Sequence, residues 1–586
     1  MNIEKRSDPA GIAEKKPFIP VILALILILT VFVYFPSLKN QFTYDDKMVI
    51  HEAGYLLSNP VQIPRILTKD YFLLSGESTY RPFVTLSYIL DWQLGKGNPV
   101  FFHIHNLLWH LVTVTLLLLL FNQITKDLNT AAVIVSIYAL HPVLTEAVDN
   151  ISFREDLIAT ALGLLAVLIW ISDTKVTRFI KNTAAAVIFL VAQLSKESAV
   201  TFLFILFLLF WYLDTTDHTV SIKAFTNIIK KRKAELGSAV LTVCLFIVIR
   251  FIFFSTGNNY GEDLGNDILT TMMTTAVIFA NYLKLLFLPH PLCADYRGVI
   301  PLIDSLLDPK LLLSLFSISA LLIPGWLLHR KKPLFFIGII WFFAALLPVS
   351  NIIGIPVFKD KTFFLYMPYI GMAERYLYMP YIGLVLSFGY LLCDLTDLLK
   401  KRLRFRISAV SLLIVILICL GSMTRARHKA WFSDETLWHT TLSDHPDAYG
   451  AMHGYATALL RKDKYDESIE YFEKALKFKM PESEKAAILN DLGIAYTDSG
   501  KHETAISTFK KALKIHISET FHYNLGVAYL RMGRYEKASK EFESSIKLDP
   551  FYSNPYLPLI DIYSKMGKTD KAQTLQKKAI SFGFAE

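Results

Sequence analysis

The chain has 586 residues, of which 53% are hydrophobic and only 19% are charged. Soluble domains usually carry about 25% charged residues, so a soluble globular fold is excluded for most of the chain. The formal net charge of +9 comes largely from Lys and Arg in short loops between apolar runs, which is typical of membrane proteins and argues against nucleic-acid binding. None of the four cysteines belongs to a CxxC or Cys/His cluster, so neither a disulfide framework nor a zinc site is indicated.

The first two thirds of the chain consist of apolar runs. Residues 1–17 are polar and predict a cytoplasmic tail, and the uncharged run 18–35 predicts a retained first membrane helix. Together with the runs that follow, it predicts a transmembrane domain over 18–424. The further runs are 103–121, 129–147, 156–172, 179–195, 198–213, 236–254, 271–288, 310–328, 334–351, 377–394 and 407–424.

The basic loops predict the topology. With a cytoplasmic N-terminus, the first outer loop is 38–102 and the basic loop 223–233 lies inside. Strict alternation would place the basic loops 329–332 and 400–404 outside, against the positive-inside rule. Both return inside if 271–288, which contains Asn281 and Lys284, does not cross. The sequence therefore predicts about eleven crossings, with the C-terminal domain and loop 38–102 on the outer face.

The C-terminal region is charged and repetitive. After a predicted linker at 425–446, residues 447–586 contain two Leu-Gly-x-Ala-Tyr motifs whose glycines, Gly493 and Gly526, are 33 residues apart (526 − 493). This spacing is typical of tetratricopeptide (TPR) repeats, which are helix pairs of about 34 residues. About four repeats are predicted, and the fold class is all-α: a polytopic bundle followed by a soluble α-solenoid.

Charged motifs lie at the ends of apolar runs on the predicted outer side. The adjacent carboxylates of Asp45 and Asp46 could act as a general base, bind a metal ion or form a solvated acidic turn. Arg81 could bind a phosphate or simply start a helix. Each of the other charged sets could be a structural ion pair, but their position on one side favours a site. These sets contain His141, Glu146, Arg154, Glu155, Asp156, Lys196, Glu197, Glu374 and Arg375.

The motif order is FTYDD, YRPF, HPVLTEAV, FREDLIA, SKES, ERYLYMP and then the repeats. This order resembles the transmembrane and tetratricopeptide repeat-containing O-mannosyltransferase family, whose membrane part has the GT-C glycosyltransferase architecture. The resemblance covers nearly the whole chain. It implies transfer of a sugar, mannose by family default, from a polyprenyl-phosphate donor to Ser or Thr hydroxyls of proteins on the outer or lumenal face.

The resemblance also implies roles for the charged residues. An acidic residue of the first outer loop is expected to be the general base, and it matches Asp45, or else Asp46. Fixed cations stabilise the charge that develops on a departing phosphate, which is the role expected of Arg81, Arg154, Lys196 and Arg375. Positioning of the sugar or acceptor is expected of His141, Glu146, Glu155, Asp156, Glu197 and Glu374. No cofactor is decided; if Mn²⁺ or Mg²⁺ takes part, Asp45 and Asp46 are its candidate ligands.

Other functions stay open at this point. A non-enzymatic membrane scaffold would explain repeats that recruit protein partners, but it leaves the outer charges unexplained. A GT-C transferase with a lipid or glycan acceptor is a further alternative. A transporter of lipid-linked sugars is disfavoured, because the apolar runs carry few charges near their centres. The expected location is a prokaryotic plasma membrane or, in a eukaryote, the endoplasmic reticulum, with an acceptor protein bound by the repeats.

One local duplication affects the site. The segment Leu365–Gly371 recurs as Leu377–Gly383, whereas the family pattern leads us to expect one copy. The sequence leaves open which copy lines the site.

Overall fold

The computed structural model describes residues 19–52, 54–59, 61, 63–68, 80–173, 176–254, 268–350, 355–359, 362–366, 371–400, 406–582 and 584. The predicted tail 1–17, the loop 255–267 and the basic loop 401–405 lie outside these residues. Nearly all regular structure in the described part is helical, which confirms the all-α class. An antiparallel hairpin, β1 (Ile355–Lys359) and β2 (Thr362–Tyr366), is the exception.

The helices of the membrane part, residues 19–430, follow the apolar runs. They are α1 (Ile19–Tyr34), α2 (Gly54–Ser58), α3 (Ile63–Ile66), α4 (Pro82–Gly95), α5 (Pro99–Thr125), α6 (Leu128–Ala139), α7 (Thr145–Asp149), α8 (Arg154–Ile171), α9 (Arg178–Ser195), α10 (Thr201–Asp214), α11 (Ile222–Lys231), α12 (Lys233–Phe254), α13 (Ile268–Phe287), α14 (Pro309–Leu328), α15 (Pro333–Leu346), α16 (Pro380–Lys400) and α17 (Arg406–Ala430). Short 3₁₀ turns include Phe35–Lys39, Pro142–Leu144, Ile151–Phe153, Glu197–Val200, Leu347–Val349 and Glu374–Leu377, and a π-helical turn spans Lys47–Glu52.

Six helical segments in the described part are long and apolar enough to cross a membrane. They are Ile19–Lys39, Pro99–Thr125, Glu197–Asp214, Ile268–Phe287, Pro309–Leu328 and Ser411–Ala430. A seventh is added if Leu128–Ala139 and Pro142–Asp149, which meet at 55°, form one broken span. The chain is therefore a membrane protein, but the predicted count of about eleven crossings is not confirmed. The segment predicted not to cross forms α13, which is long and apolar enough to do so.

Local sequence explains where several of these helices begin. The Asn98 side chain accepts a hydrogen bond from the backbone N–H of Val100 at 3.1 Å, and Pro99 takes the first position of α5, where no N–H is needed. Asp127 likewise accepts from the N–H of Thr130 at 2.9 Å and starts α6. Polar capping residues thus mark the ends of the apolar segments.

The core of the membrane part includes α15 and α16, whose backbones touch. A Cβ atom added to Gly338 would lie 2.2 Å from the carbonyl oxygen of Gly383, and one added to Gly383 would lie 2.4 Å from that of Gly338. Small residues at such crossings allow close packing of membrane helices. Gly383 ends the second copy of the duplicated segment, and Leu377 and Tyr378 of this copy are fully buried. Most of the first copy lies outside the described residues.

The C-terminal part forms the predicted repeats. Its helices are α18 (Asp434–Asp444), α19 (Tyr449–Leu460), α20 (Tyr465–Ala475), α21 (Glu482–Asp498), α22 (His502–Ile515), α23 (Glu519–Arg531), α24 (Tyr535–Leu548), α25 (Tyr556–Lys565) and α26 (Thr569–Phe582). We call α19–α26 the TPR array. A Cβ atom on Gly493 would lie 2.6 Å from the ring of Phe509, and one on Gly526 would lie 2.7 Å from that of Phe542, so the motif glycines let paired helices touch.

The predicted linker 425–446 is mostly helical and connects the two parts closely. It contains the last turn of α17 and all of α18. Asp434 of α18 accepts a hydrogen bond from the N–H of Tyr44 at 2.8 Å, and the N–H of Gln41 donates to the carbonyl of Phe432 at 3.0 Å. At the array, Asp295 packs directly against Gly450. The first predicted outer loop therefore contacts α18 and Phe432 just before it, and the TPR array contacts the segment after α13.

Candidate active site

An ion network joins the starts of α4, α8 and α10 to the end of α12. Arg81 Nη1 lies 2.8 Å from Glu155 Oε1, and Arg81 Nη2 lies 3.4 Å from Glu197 Oε2. Arg250 Nη1 lies 2.7 Å from the other oxygen of Glu197. These side chains are all partly exposed, at 11–29%. The network is thus accessible to a ligand and held together by charge.

Lys196 extends this network toward Tyr376. Its Nζ lies 2.5 Å from Asp156 Oδ2 and 3.6 Å from Glu155 Oε1. The same ammonium lies 5.6 Å from the centre of the Tyr376 ring, within the range of a cation–π interaction. Glu155 therefore joins two cations, Arg81 and Lys196, that are far apart in the sequence.

Arg375 and Glu146 form a second, more buried pair. Arg375 Nη1 lies 2.6 Å from Glu146 Oε1, and the backbone N–H of Arg375 donates to Oε2 at 2.8 Å. The guanidinium also lies 4.1 Å from the centre of the Phe153 ring. Because Glu146 is fully buried, it fixes the position of Arg375 rather than contacting solvent.

Asp45 and Asp46 have different surroundings. Asp46 is fully buried, and its oxygens accept hydrogen bonds from the N–H groups of Ser152 at 2.7 Å and Thr43 at 3.2 Å. Asp45 is partly exposed, and its carboxylate accepts no hydrogen bond from any residue that the structure describes. Asp46 therefore joins two segments of the chain, while the carboxylate of Asp45 stays available.

The backbone at Tyr44 separates the two carboxylates. Tyr44 has a φ of 56°, in the left-handed region that bulky residues rarely adopt. Its N–H is held by Asp434, and its ring lies 5.2 Å from that of Trp438 in an edge contact. Contacts from α18 therefore stabilise the turn that presents Asp45, as expected where strain occurs near a functional residue.

The pKa of each carboxyl is raised. Burial raises the pKa of Asp45 to about 6; Arg375 opposes this effect, while the negative charges of Glu155 and Glu146 add to it. Burial raises the pKa of Asp46 to about 7, against the hydrogen bonds from backbone N–H groups. A carboxylate with a pKa near the working pH is well suited to general-base catalysis, and Asp45 is the accessible one of the two.

Three other predicted site residues are used in structural contacts. Arg154 is fully buried, forms an ion pair with Asp91 at 2.6 Å and donates to Asn106 at 2.7 Å. Glu374 is fully buried and accepts a hydrogen bond from Tyr296 at 2.9 Å. His141 is buried, and its Nδ1 accepts from a backbone N–H at 3.3 Å. The structure does not bring these three side chains into the network.

Sequence reasoning missed two contributors. Arg250 lies in the last turns of α12, within the apolar run 236–254, and is not among the predicted site residues. A lone arginine in an apolar segment is costly unless it is paired, and that signal could have identified it. The ring of Tyr376 lies near its neighbour Arg375 and near Lys196, and the sequence carries no signal for the second contact because Lys196 is distant in the chain.

The carboxylates do not fit a metal site. Within the described ranges, no group of three or more His, Cys, Asp or Glu side chains is arranged to hold a metal ion. Both oxygens of Asp46 accept backbone hydrogen bonds, which leaves Asp45 without a second carboxylate to share a cation.

Residues 264–322 match the family model described as "Protein O-mannosyl-transferase TMTC, DUF1736". Residues 447–518 and 520–552 match models of the tetratricopeptide repeat. The chain carries a TMTC domain and TPR repeats. These matches confirm the resemblance to the TMTC family. Asp295 lies in the matched segment 264–322 and Gly450 lies in the first matched repeat segment, so the two matched regions contact each other.

Relatives of the TMTC family match most of this chain. It is 24% identical over 450 residues to a protein O-mannosyl-transferase of Caenorhabditis elegans, covering 72% of this chain and 57% of the relative. It is also 24% identical over 525 residues to protein O-mannosyl-transferase TMTC1 of Homo sapiens, covering 80% of this chain and 56% of the relative. The chain thus spans about half the length of the curated relatives that it matches.

Among solved structures, the crystal structure of yeast Tom70 matches 78% of this chain and 90% of its own chain. The sequence identity is 14% and the TM-score is 0.22. A similarity at that score supports no argument about function.

Proposed function

We propose that this chain is a glycosyltransferase that moves a sugar from a polyprenyl-phosphate donor to Ser or Thr hydroxyls of proteins, on the outer or lumenal face of a membrane. Its relatives are named protein O-mannosyl-transferases, which makes mannose the expected sugar. The observation that carries the proposal is the placement of the accessible carboxylate of Asp45 beside Arg375, near the ion network.

Asp45 acts as the general base. Its carboxylate takes the proton of the acceptor hydroxyl while the hydroxyl oxygen attacks C1 of the sugar. The bond between C1 and the phosphate oxygen breaks in the same step, so the anomeric configuration inverts. General-base catalysis of this kind contributes about 10²–10⁴-fold to the rate.

The cations stabilise the departing polyprenyl phosphate. Arg81, Lys196 and Arg375, with Arg250 added, are the candidates, because fixed positive charges best stabilise the charge that develops on a leaving group. Glu146, Glu155, Asp156 and Glu197 keep these cations in place before the donor binds. Arg154 supports the site indirectly, by holding the start of α8 against α4 and α5.

The TPR array presents the acceptor protein. TPR helices form concave surfaces that bind peptides, and the array is attached through α18 to the turn that carries Asp45. A peptide bound on the array would therefore have a high local concentration near the base. In this proposal the N-terminus is cytoplasmic, and loop 38–102 and the array lie on the outer face.

The test compares the native chain with the Asp45→Asn and Asp46→Asn variants, purified in detergent. Each receives radiolabelled polyprenyl-phosphate sugars with protein, lipid or glycan acceptors, and the label transferred is measured. We expect Asp45→Asn to lose about 10²-fold or more of the transfer rate. Asp46→Asn keeps an oxygen that can accept one of the two hydrogen bonds and is expected to retain measurable transfer.

Each other outcome has a distinct meaning. Equal transfer by the native chain and Asp45→Asn would exclude Asp45 as the base. If only the lipid or glycan acceptors become labelled, the acceptor is a lipid or a glycan and not a protein. If the folded native chain transfers no label from any donor, with or without Mn²⁺ or Mg²⁺, the scaffold function is favoured.

A further inference from the structure

A cavity of about 550 Å³ lies between the membrane part and the repeats. Its walls come from Pro142, the segment after α13, the end of α17, α18 and Tyr455 of α19. None of the residues proposed for sugar transfer lines this cavity. It is therefore a separate site, to which both parts of the molecule contribute.

Arg427 is the unusual residue of this cavity. It is 8% exposed, and its Nε and Nη2 atoms are buried without a hydrogen-bond partner in the described part of the chain. Its nearest acidic partner, Glu374 Oε2, is 3.8 Å away from Nη2, beyond hydrogen-bond distance. A buried guanidinium with unused donors costs free energy until an acceptor arrives.

Further basic side chains lie near Arg427. Lys429, His290 and His439 also line the cavity. The pKa of the neighbouring His445 is lowered by burial and by the positive charges of Arg427, Lys284 and His290, with Asp444 opposing. Several basic groups thus converge on one place, which favours a negatively charged ligand.

One of the two carboxylates in the wall is already paired. Glu435 forms ion pairs with two lysines of the TPR array, Lys462 and, at 3.6 Å, Lys464. Its negative charge is therefore already paired. Asp444 remains as the second carboxylate of the wall. A cavity with a buried, unsatisfied Arg and a neighbouring Lys matches the chemistry of phosphate recognition.

We propose that this cavity binds a phosphate group, with Arg427 as its principal ligand and Lys429 and His290 as further donors. The phosphate belongs to a membrane lipid or is free in solution. The lipid source is compatible with the position of the cavity at the end of α17, whose middle turns expose Leu412, Val415 and Ile418.

The binding test uses the full-length chain in detergent and two probes, inorganic phosphate and dioctanoyl phosphatidic acid, with calorimetry as the readout. We expect Arg427→Met to weaken binding by at least about tenfold, since charge-assisted hydrogen bonds are lost. Arg425→Met is the matched control. Arg425 lies in the same helical turn, is exposed and contacts Phe32 on α1, so this variant should bind as the native chain does.

A second variant keeps the test decisive if Arg427→Met does not fold. Lys429 is exposed, so Lys429→Gln should fold and is expected to weaken binding severalfold. Tight binding of the lipid alone identifies a headgroup site, and equal binding of both probes identifies a site for free phosphate. The proposal is overturned if neither probe binds the native chain, or if a folded Arg427→Met or Lys429→Gln variant binds as tightly as the native chain.

Discussion

Asp45 and Asp46 share a peptide bond and yet meet different environments. The left-handed turn at Tyr44 sends Asp46 into the protein, toward the N–H of Ser152, and leaves Asp45 beside Arg375. Two carboxylates that look equivalent in the sequence thereby differ in burial and in hydrogen bonding. The same contrast separates Arg81, which is partly exposed, from the fully buried Arg154.

The raised pKa of Asp45 predicts the pH dependence of transfer. A general base works only when it is ionised, and a pKa of about 6 means that Asp45 becomes protonated as the pH falls through that value. We expect kcat/KM to be maximal above about pH 7 and to fall tenfold per unit well below about pH 6. Rates measured across this range, with thermal unfolding at each pH as a control, check the prediction. An acid limb near the ordinary aspartate pKa of about 3.9 would contradict it.

The same substitution should mainly lower stability at Arg154 and mainly lower the transfer rate at Arg81. Arg154→Met removes the arginine partner of the buried Asp91 and leaves the ring of His105 as its neighbour, so we expect a loss of about 3–5 kcal/mol of stability. Arg81→Met should lower transfer while costing only about 1 kcal/mol or less, because its ion pair is partly exposed. Thermal unfolding in detergent and transfer rates are measured on both variants.

A double variant supplies the control for Arg154. Adding Asp91→Asn to Arg154→Met removes the buried charge and should restore part of the lost stability. If Arg154→Met melts like the native chain, the ion pair does not contribute as described.

At the scale of elements, the site is built from interruptions between helices. Glu146 lies in the short α7 beyond the bend that ends α6, Lys196 and Glu197 separate α9 from α10, and Arg375 lies in a 3₁₀ turn before α16. Breaks in membrane helices allow polar side chains and backbone groups to meet where the helices end. The docking of α18 and α19 on neighbouring segments then adds the TPR array to this end of the bundle.

The substitution Gly450→Ala tests whether the contact with Asp295 docks the TPR array. A Cβ atom at this position would lie 2.4 Å from a carboxylate oxygen of Asp295, which is itself held by an ion pair with Arg297 at 2.6 Å. We expect Gly450→Ala to displace α19, at a cost of about 1–3 kcal/mol, and to speed proteolysis within 425–446.

The matched control for this prediction is Gly237→Ala in α12. An added Cβ there meets nothing within 4 Å, so cleavage should match that of the native chain. Unchanged cleavage of Gly450→Ala would mean that the array does not depend on this contact.

At the scale of the molecule, the TPR array and the first predicted outer loop must share one side of the membrane, because both contact α18. Asp434 of α18 accepts a hydrogen bond from the N–H of Tyr44 and forms an ion pair with Arg461, at the end of α19, at 3.3 Å. The charge distribution predicts that this side is the outer one. The exposed Asp463 in the array and the exposed Asp217 in the turn after α10 are therefore predicted to lie on opposite faces.

Labelling with a membrane-impermeant maleimide checks this prediction. Asp463→Cys should react in sealed cells, and Asp217→Cys only after the membrane is opened, with the native chain as background. Reaction of Asp217→Cys alone in sealed cells would reverse the orientation.

The sequence alone determined most of the helices, the repeats and the resemblance to the family. Most apolar runs became helices within a few residues of their predicted bounds, whereas the run 129–147 became two segments that meet at 55°. The 33-residue spacing of Gly493 and Gly526 became helix pairs. These features are readable because they depend on neighbours along the chain: hydrophobic length, capping residues and a repeated motif.

Only the tertiary structure decided which charges form the candidate site. Arg375 meets Glu146 across 229 residues and Asp46 meets Ser152 across 106, while Arg154 turns inward to Asp91. The same holds for the cavity at Arg427, whose walls come from four separate segments. Burial and pairing depend on which distant segments pack together, and a motif does not carry that information.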